Sequence, residues 1–241
     1  MQPSKRYVFI GDIHGCYAEL SELLGKVGVN SGDEVISVGD IVRKGPEPAL
    51  CLELFLDRGF RVVVGNNEER LLREIDRGGS SDPLAVRPDL LKVLRKLPLY
   101  IDVPEIQAVA VHGGLLPGTA ITRTEIEKQR RTVPRLRYVR QEEERWVPVR
   151  KGDQRRTDRF WSEVWDGEYT VLYGHSMTAS GKPRIDGKTI GLDTGCVYGG
   201  RLTAAVWERG GWFMVSVPAR RAYTRPGVLA GVRNWLTKKR Q

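Results

Sequence analysis

The sequence is sparing with the residues that mark membranes, disulfide frameworks and extended metal clusters. No apolar run among the 241 residues approaches the roughly 20 needed to cross a bilayer, so a helical membrane protein is excluded. The opening M-Q-P-S-K-R is polar and lacks the apolar stretch of a secretory signal. Cysteine occurs three times (Cys16, Cys51, Cys196), an odd count with no C-x-x-C pair, which argues against a disulfide framework. A reducing cytoplasm is the expected location, with no membrane contact. Histidine is equally scarce, at three residues, and that scarcity becomes informative once their positions are compared.

What is present suits a globular chain. A hydrophobic fraction of 40% over this length can bury a core. The net charge of +9 is unevenly spread. Residues 219–241 carry seven basic groups and no acid, and residues 122–160 carry thirteen basic against seven acidic groups. The rest of the chain is net negative. A basic end is first of all a solvated end, and secondarily a nucleic-acid arm.

The first third alternates strand and helix. R-Y-V-F-I reads as a strand ending at G-D-I-H-G, and Leu20, Leu23, Leu24 and Val27 then fall on one helical face. E-V-I-S-V is a second strand, and A-L-C-L-E-L-F-L-D-R-G a helix stopped by Gly59. F-R-V-V-V is a third strand, followed by a helix that starts near Glu68. Strands separated by such helices predict parallel βαβ units buried on both faces. A helix follows Pro88, and from Tyr100 onward the pattern shifts to short strands with glycine-rich turns and a hairpin around Gly210-Gly211. Residues 121–159 show little periodicity, which predicts a basic surface excursion or lid at 118–160 within a domain spanning 1–218. A short helix is expected in the basic tail from 219 to 241, at V-L-A-G-V-R-N-W-L.

Each of the three histidines follows an apolar strand closely, beside a glycine: His14 in I-G-D-I-H-G, His112 in V-A-V-H-G-G and His175 in V-L-Y-G-H. Asp12, Asp40 and Asn66 occupy matching strand-end positions. Ligands of open α/β sheets bind at the carboxyl ends of the strands, so these six nitrogen and oxygen donors are expected to converge there. Imidazole, carboxylate and amide suit manganese, iron, zinc or cobalt. Six donors are too many for one ion with an open position, but they suit two ions sharing a carboxylate, an arrangement that clamps an in-line displacement at phosphorus.

G-D-I-H-G, G-D-I-V-x-K-G-P, G-N-x-E, H-G-G and G-H, in that order, resemble the motifs of the calcineurin-like metallophosphoesterases. The resemblance extends to the phosphoprotein phosphatase branch that contains the bacterial diadenosine tetraphosphatases, and T-I-G-L-D-T-G-C-V-Y-G-G-R-L-T-A-A-V-W-E is similar to the stretch after their last metal histidine. It covers most of residues 7–217 and implies a four-layer αββα sandwich. It also implies two divalent ions, manganese first, with cobalt, iron, zinc, nickel or magnesium as alternatives. Asp12 and His14 would bind the first ion, Asp40 would bridge, and Asn66, His112 and His175 would complete the second. The water between the ions would be the nucleophile. Lys44, Arg43, Asn66 and an arginine of the basic excursion would face phosphate, with Arg137 the candidate against Arg135 and Arg140.

The implied substrate is a dinucleoside polyphosphate such as diadenosine tetraphosphate; a serine/threonine phosphoprotein and a capped RNA end are the alternatives. One departure stands out. Relatives of this type read G-N-H-E, and that histidine is taken to protonate the leaving group; here the position is Asn67, and Arg43 stands where protein phosphatases hold an aspartate. An amide cannot give up a proton, so a catalytic factor of about 10²–10⁴ should be missing. Three readings remain open: a leaving group that needs no acid, a deliberate replacement of histidine, or a slow member that mainly binds nucleotides or RNA ends.

Overall fold

In the computed structural model, which describes residues 5–225, β1 (Tyr7–Ile10) leads to α1 (Tyr17–Val27), β2 (Glu34–Ser37), α2 (Pro48–Asp57), β3 (Arg61–Val62) and α3 (Asn66–Asp76). The local chemistry sets these bounds. Gly28 ends α1 in the left-handed conformation, and Pro48 opens α2 where a missing N–H costs nothing. Next come α4 (Pro88–Leu94), β4 (Tyr100–Val103), β5 (Ala108–Val111) and α5 (Arg123–Lys128). They are followed by β6 (Tyr138–Glu142), β7 (Arg145–Val149), β8 (Arg159–Phe160) and β9 (Thr170–Tyr173). The chain then adds β10 (Arg184–Asp186), β11 (Thr189–Gly191), β12 (Arg201–Glu208) and β13 (Gly211–Pro218).

Two five-stranded sheets result, in the orders β13-β12-β1-β2-β3 and β10-β11-β9-β5-β4. As predicted, β1, β2 and β3 are parallel, and so are β5, β9 and β11. Strand alternation sorts the side chains into layers. Val8 and Ile10 of β1 face α1, α2, α3 and α4, packing with Leu20, Leu52, Leu71 and Leu94. Tyr7 and Phe9 point the other way and meet Ala108, Ala110 and Leu172 of the second sheet. Val109 and Val111 then turn outward under Ile126, Val139 and Trp161. The order of layers is helices, sheet, sheet, and an outer cover, which is the expected αββα sandwich.

The segment expected to form an excursion over the core is a packed outer cover. Residues 123–160 supply α5 and a three-stranded sheet in the order β7-β6-β8. Ile126, Val133, Leu136, Val139 and Phe160 are buried there and cap the second sheet. The weak periodicity has a physical cause: these elements are two to six residues long and carry at most one buried position each, too few for a repeat to register. The packed body also runs past 218, because Arg220 N–H and Tyr223 Oη both donate to Glu19 Oε1 at 2.8 Å. The helix expected at 228–236 lies outside the described residues. Among the described residues, no helix is long and apolar enough to cross a membrane.

Phe9 is fully buried between the sheets, with its ring 5.6 Å from that of Trp212. Phe9→Ala should destabilise the fold by about 3–5 kcal/mol, read as a lower urea midpoint with an unchanged slope; a change under about 1 kcal/mol would mean that the sheets do not pack through this residue.

Candidate metal centre

Five loops, one after each of β1, β2, β3, β5 and β9, end at the same edge of the sandwich and bring the predicted donors together. His14 Nε2 lies 3.9 Å from Asp12 Oδ2 and 3.5 Å from Asp40 Oδ2. His112 Nε2 is 3.3 Å from Asp40 Oδ1 and 3.1 Å from Asn66 Oδ1. The His112 and His175 ring centroids are 5.2 Å apart, and the His175 backbone N–H donates to both Asp12 oxygens at 3.1 and 3.2 Å. Asp12, Asp40 and His112 each bring a ligand atom within 4.8 Å of the other two. All six expected donors therefore gather around Asp40, four from loops of the first sheet and two, His112 and His175, from loops of the second.

The backbone is bent to achieve this. His14, Asp40 and His175 all adopt left-handed conformations, with φ of 49°, 53° and 65°, as do Arg43 and Lys44 at 70° and 67°. Non-glycine residues reach this region at a cost of order 1–3 kcal/mol, and such strain collects at functional sites. Glycines provide the close approaches. A Cβ on Gly174 would lie 2.0 Å from Asp12 Oδ1, and one on Gly65 would lie 2.3 Å from Asp40 Oδ1.

The donor set fits a cation. His112 Nδ1 is held by Val38 O at 2.8 Å and His14 Nδ1 by Val42 O at 3.2 Å. With a proton on each Nδ1, both Nε2 lone pairs point inward at carboxylate and amide oxygens. Acceptors aimed at acceptors in a buried pocket call for positive charge between them. Burial opposes charge on His112, but Asp40 outweighs it and holds the imidazole up at about 9. Burial, aided by Lys44, pushes His14 down to about 4, so it stays neutral against Lys44 Nζ at 2.8 Å. Burial and Arg137 likewise lower His175. Burial and neighbouring Asp193 raise Asp12 well above the usual carboxylate range, while His112, His14 and Lys44 overcome burial to keep Asp40 well below it.

The residues around this core divide. Of the three competing arginines, Arg135 pairs with Glu69 and Arg140 with Asp158, while Arg137 reaches the site, hydrogen-bonded to Ser176 Oγ at 2.9 Å. Arg43 turns away to Glu74 at 2.6 Å. Asn67 is buried and gives both its backbone N–H, at 2.9 Å, and its side-chain amide to Asp40. Asp193 accepts from Gly195 N–H at 3.1 Å and fixes the turn.

Two contributors were not singled out in the sequence. Buried Glu68 accepts from the backbone N–H groups of Asp40, Val42 and Gly65 at 2.9, 3.1 and 2.8 Å, tying the β2 loop to the turn before α3. Its Gly65-x-x-Glu68 spacing is that of a capping residue three positions into a helix, a signal that was available. Tyr198 sits under Lys44 Nζ at 5.3 Å from the ring centroid, and nothing in its local sequence announces that contact.

Comparison with known proteins agrees with this geometry. A profile described as calcineurin-like phosphoesterase matches residues 5–191. A protein of Shewanella oneidensis named bis(5'-nucleosyl)-tetraphosphatase, symmetrical, is 38% identical over 123 residues, an alignment covering 46% of this chain and 45% of that protein. The asymmetrical bis(5'-nucleosyl)-tetraphosphatase PrpE of Oceanobacillus iheyensis is 26% identical over 81% of this chain and 86% of its own length. Among solved structures, one provisionally assigned as a diadenosine tetraphosphatase superposes with a TM-score of 0.73 at 31% identity, covering 90% of this chain and 96% of that one.

Gly65→Ala would drive a methyl into Asp40 and Glu68 while leaving the helix face of α3 untouched. Divalent-metal affinity, measured by calorimetric titration with Mn²⁺, should fall about 10–100-fold with little change in circular dichroism. Unaltered affinity would show that the β2 loop does not depend on this close approach.

Proposed function

The chain belongs to the calcineurin-like phosphoesterases, and from that membership we propose that it hydrolyses dinucleoside polyphosphates such as diadenosine tetraphosphate. Asp12, His14 and Asp40 would hold one divalent cation, and Asp40, Asn66, His112 and His175 a second, with manganese best matched to this oxygen-and-imidazole set. Cations there would acidify water and neutralise phosphate charge.

The side chains of this protein supply the rest. Asn66 directs its carbonyl toward His112, which leaves its NH₂ to donate to a phosphoryl oxygen. Lys44 meets phosphate as a compact charge; burial lowers its pKa, but Asp40 and Tyr198 prevail and keep it protonated. Arg137, half-buried and without a carboxylate in ion-pair reach among the described residues, offers a fork of donors. Arg43, committed to Glu74, contributes positive potential more than contact.

The observation that carries the substrate class is the orientation of Asn67. Its backbone N–H and one hydrogen of its side-chain amide go to Asp40, and an amide gives up no proton, so the place where an acid would protonate the departing oxygen holds no transferable proton. An alkoxide leaving from a serine or threonine ester needs that proton. A nucleotide phosphate leaving from an anhydride is a weak base and does not. The two relatives described above, both named as tetraphosphatases, support the same choice.

A polynucleotide carrying the same anhydride at its end is a second reading favoured by one surface feature. A groove of about 590 Å³, one turn along α3 from Asn66, is lined by Arg73, Arg130, Arg131 and Arg135 beside Glu69 and Leu72. That much positive charge suits a further run of phosphates.

The test is a substrate panel with Mn²⁺: diadenosine tetraphosphate, a phosphoserine peptide and p-nitrophenyl phosphate. Nucleotides should be released from the first, with monoesters far slower. Asn67→His should raise monoester hydrolysis about 10²–10⁴-fold and leave anhydride cleavage nearly unchanged. Faster release of phosphate from the peptide than of nucleotide by the native chain would overturn the proposal in favour of a protein phosphatase. Tight nucleotide or RNA-end binding with no turnover by either form would make it a binding protein.

A further inference from the structure

A second set of ligand-type side chains lies where the proposed chemistry makes no use of it. Cys16 precedes α1, two residues beyond His14, and its thiol faces the His14 carbonyl at 3.9 Å. Cys196 comes from the loop between β11 and β12, and Glu19 from the first turn of α1. Their two sulfurs and a carboxylate oxygen all lie within 4.8 Å of one another. The three residues are 0%, 2% and 0% exposed.

A separate observation bears on the same cluster. Glu19 Oε1 accepts from Arg220 N–H and Tyr223 Oη, but Glu19 Oε2 is buried with no hydrogen-bond partner. A carboxylate oxygen stripped of water and left unpaired costs on the order of 1–3 kcal/mol or more, and each such group in a folded protein calls for an explanation. Thiols are poor donors and do not approach it within bonding distance. The bonds to Arg220 and Tyr223 account for Oε1 and leave Oε2 unexplained.

We propose that Cys16, Cys196 and Glu19 form a structural site for one soft divalent cation, zinc in the first instance, distinct in donor chemistry from the oxygen-and-imidazole centre. Tetrahedral zinc with bonds of about 2.0–2.3 Å sets ligand atoms roughly 3.5–4 Å apart, which small side-chain rotations reach from the present spacing. Two thiol protons leave to solvent as two sulfur–metal bonds form, and no electron is transferred. The Tyr223 hydroxyl, 2.8 Å from Glu19 Oε1, is the polar group at hand for the fourth position. The thiolate pair selects zinc over manganese or magnesium.

The site joins three segments remote in sequence. Cys16 follows the His14 loop, Cys196 precedes Tyr198, whose ring underlies Lys44, and Glu19 anchors the segment carrying Tyr223. Burial this complete means that the ion enters as the chain folds and leaves slowly.

The test uses two preparations of the full chain, one expressed with zinc and mildly chelated, the other unfolded with excess chelator and refolded over a series of cobalt concentrations. About one zinc per chain should survive a chelation that empties the oxygen-and-imidazole centre. Cobalt-loaded protein should show a thiolate-to-cobalt charge-transfer band, which carboxylates and imidazoles cannot produce. The band should persist in His175→Ala and Cys51→Ser, vanish in Cys196→Ser, and need at least tenfold more cobalt in Glu19→Gln. Cobalt bound by the native chain with no sulfur band would overturn the proposal, whether or not Cys196→Ser folds. So would a band that survives Cys196→Ser or is lost in Cys51→Ser.

Discussion

The site rests on acceptors forced to face acceptors. Asp40 lies at the middle of it, with His14 Nε2 and His112 Nε2 within 3.5 and 3.3 Å and Asp12 nearby, all buried. Left alone, that arrangement repels itself, because each imidazole has its Nδ1 tied to a backbone carbonyl and can offer only a lone pair. Positive charge relieves the repulsion. Lys44 Nζ lies 2.8 Å from His14 Nε2, and Asp40 outweighs burial to hold the His112 imidazole up at about 9. The left-handed turns, the glycines at 65 and 174 and the Glu68 tether all serve to keep these groups from relaxing apart.

Much of this was readable from the chain itself, for a definite reason. Strand ends are fixed in space by the sheet, so a donor placed just after an apolar run with a glycine beside it has a nearly determined position. Asp12, Asp40, Asn66, His112 and His175 all obey that logic, and the αββα layering follows from the alternating faces of β1 and β5. The cover over the second sheet was not legible, because α5 and the strands from 138 to 160 bury isolated residues with no repeat. Arg137 could be nominated but not separated from Arg135 and Arg140. Only the tertiary placement of Glu69 and Asp158 removes those two. Tyr198 and the attachment of Tyr223 to Glu19 depend on contacts between distant segments, which carry no local signature.

Asn67 and Arg43 illustrate a coordinated rewiring. In the resemblance, the two positions would form an acid held by a carboxylate. Here the amide faces inward to Asp40 and the guanidinium faces outward to Glu74, so neither position is left as an unpaired remnant. Asp40 gains two donors from Asn67, which steady it beside the imidazoles at the expense of a proton source. The site is thereby suited to reactions limited by charge neutralisation and less to those limited by proton delivery.

The donors belong to loops from both sheets, with Asp12, Asp40 and Asn66 on one and His112 and His175 on the other. Ions gripping all of them would act as rivets through the sandwich, and the strength of the fold would then track the metal supply of its surroundings. Once metal is well above its dissociation constant, each tenfold rise in free concentration adds about 1.4 kcal/mol per site to the free energy of unfolding. Starvation for metal would thus thin the population of this protein by exposing it to proteolysis as well as by idling it.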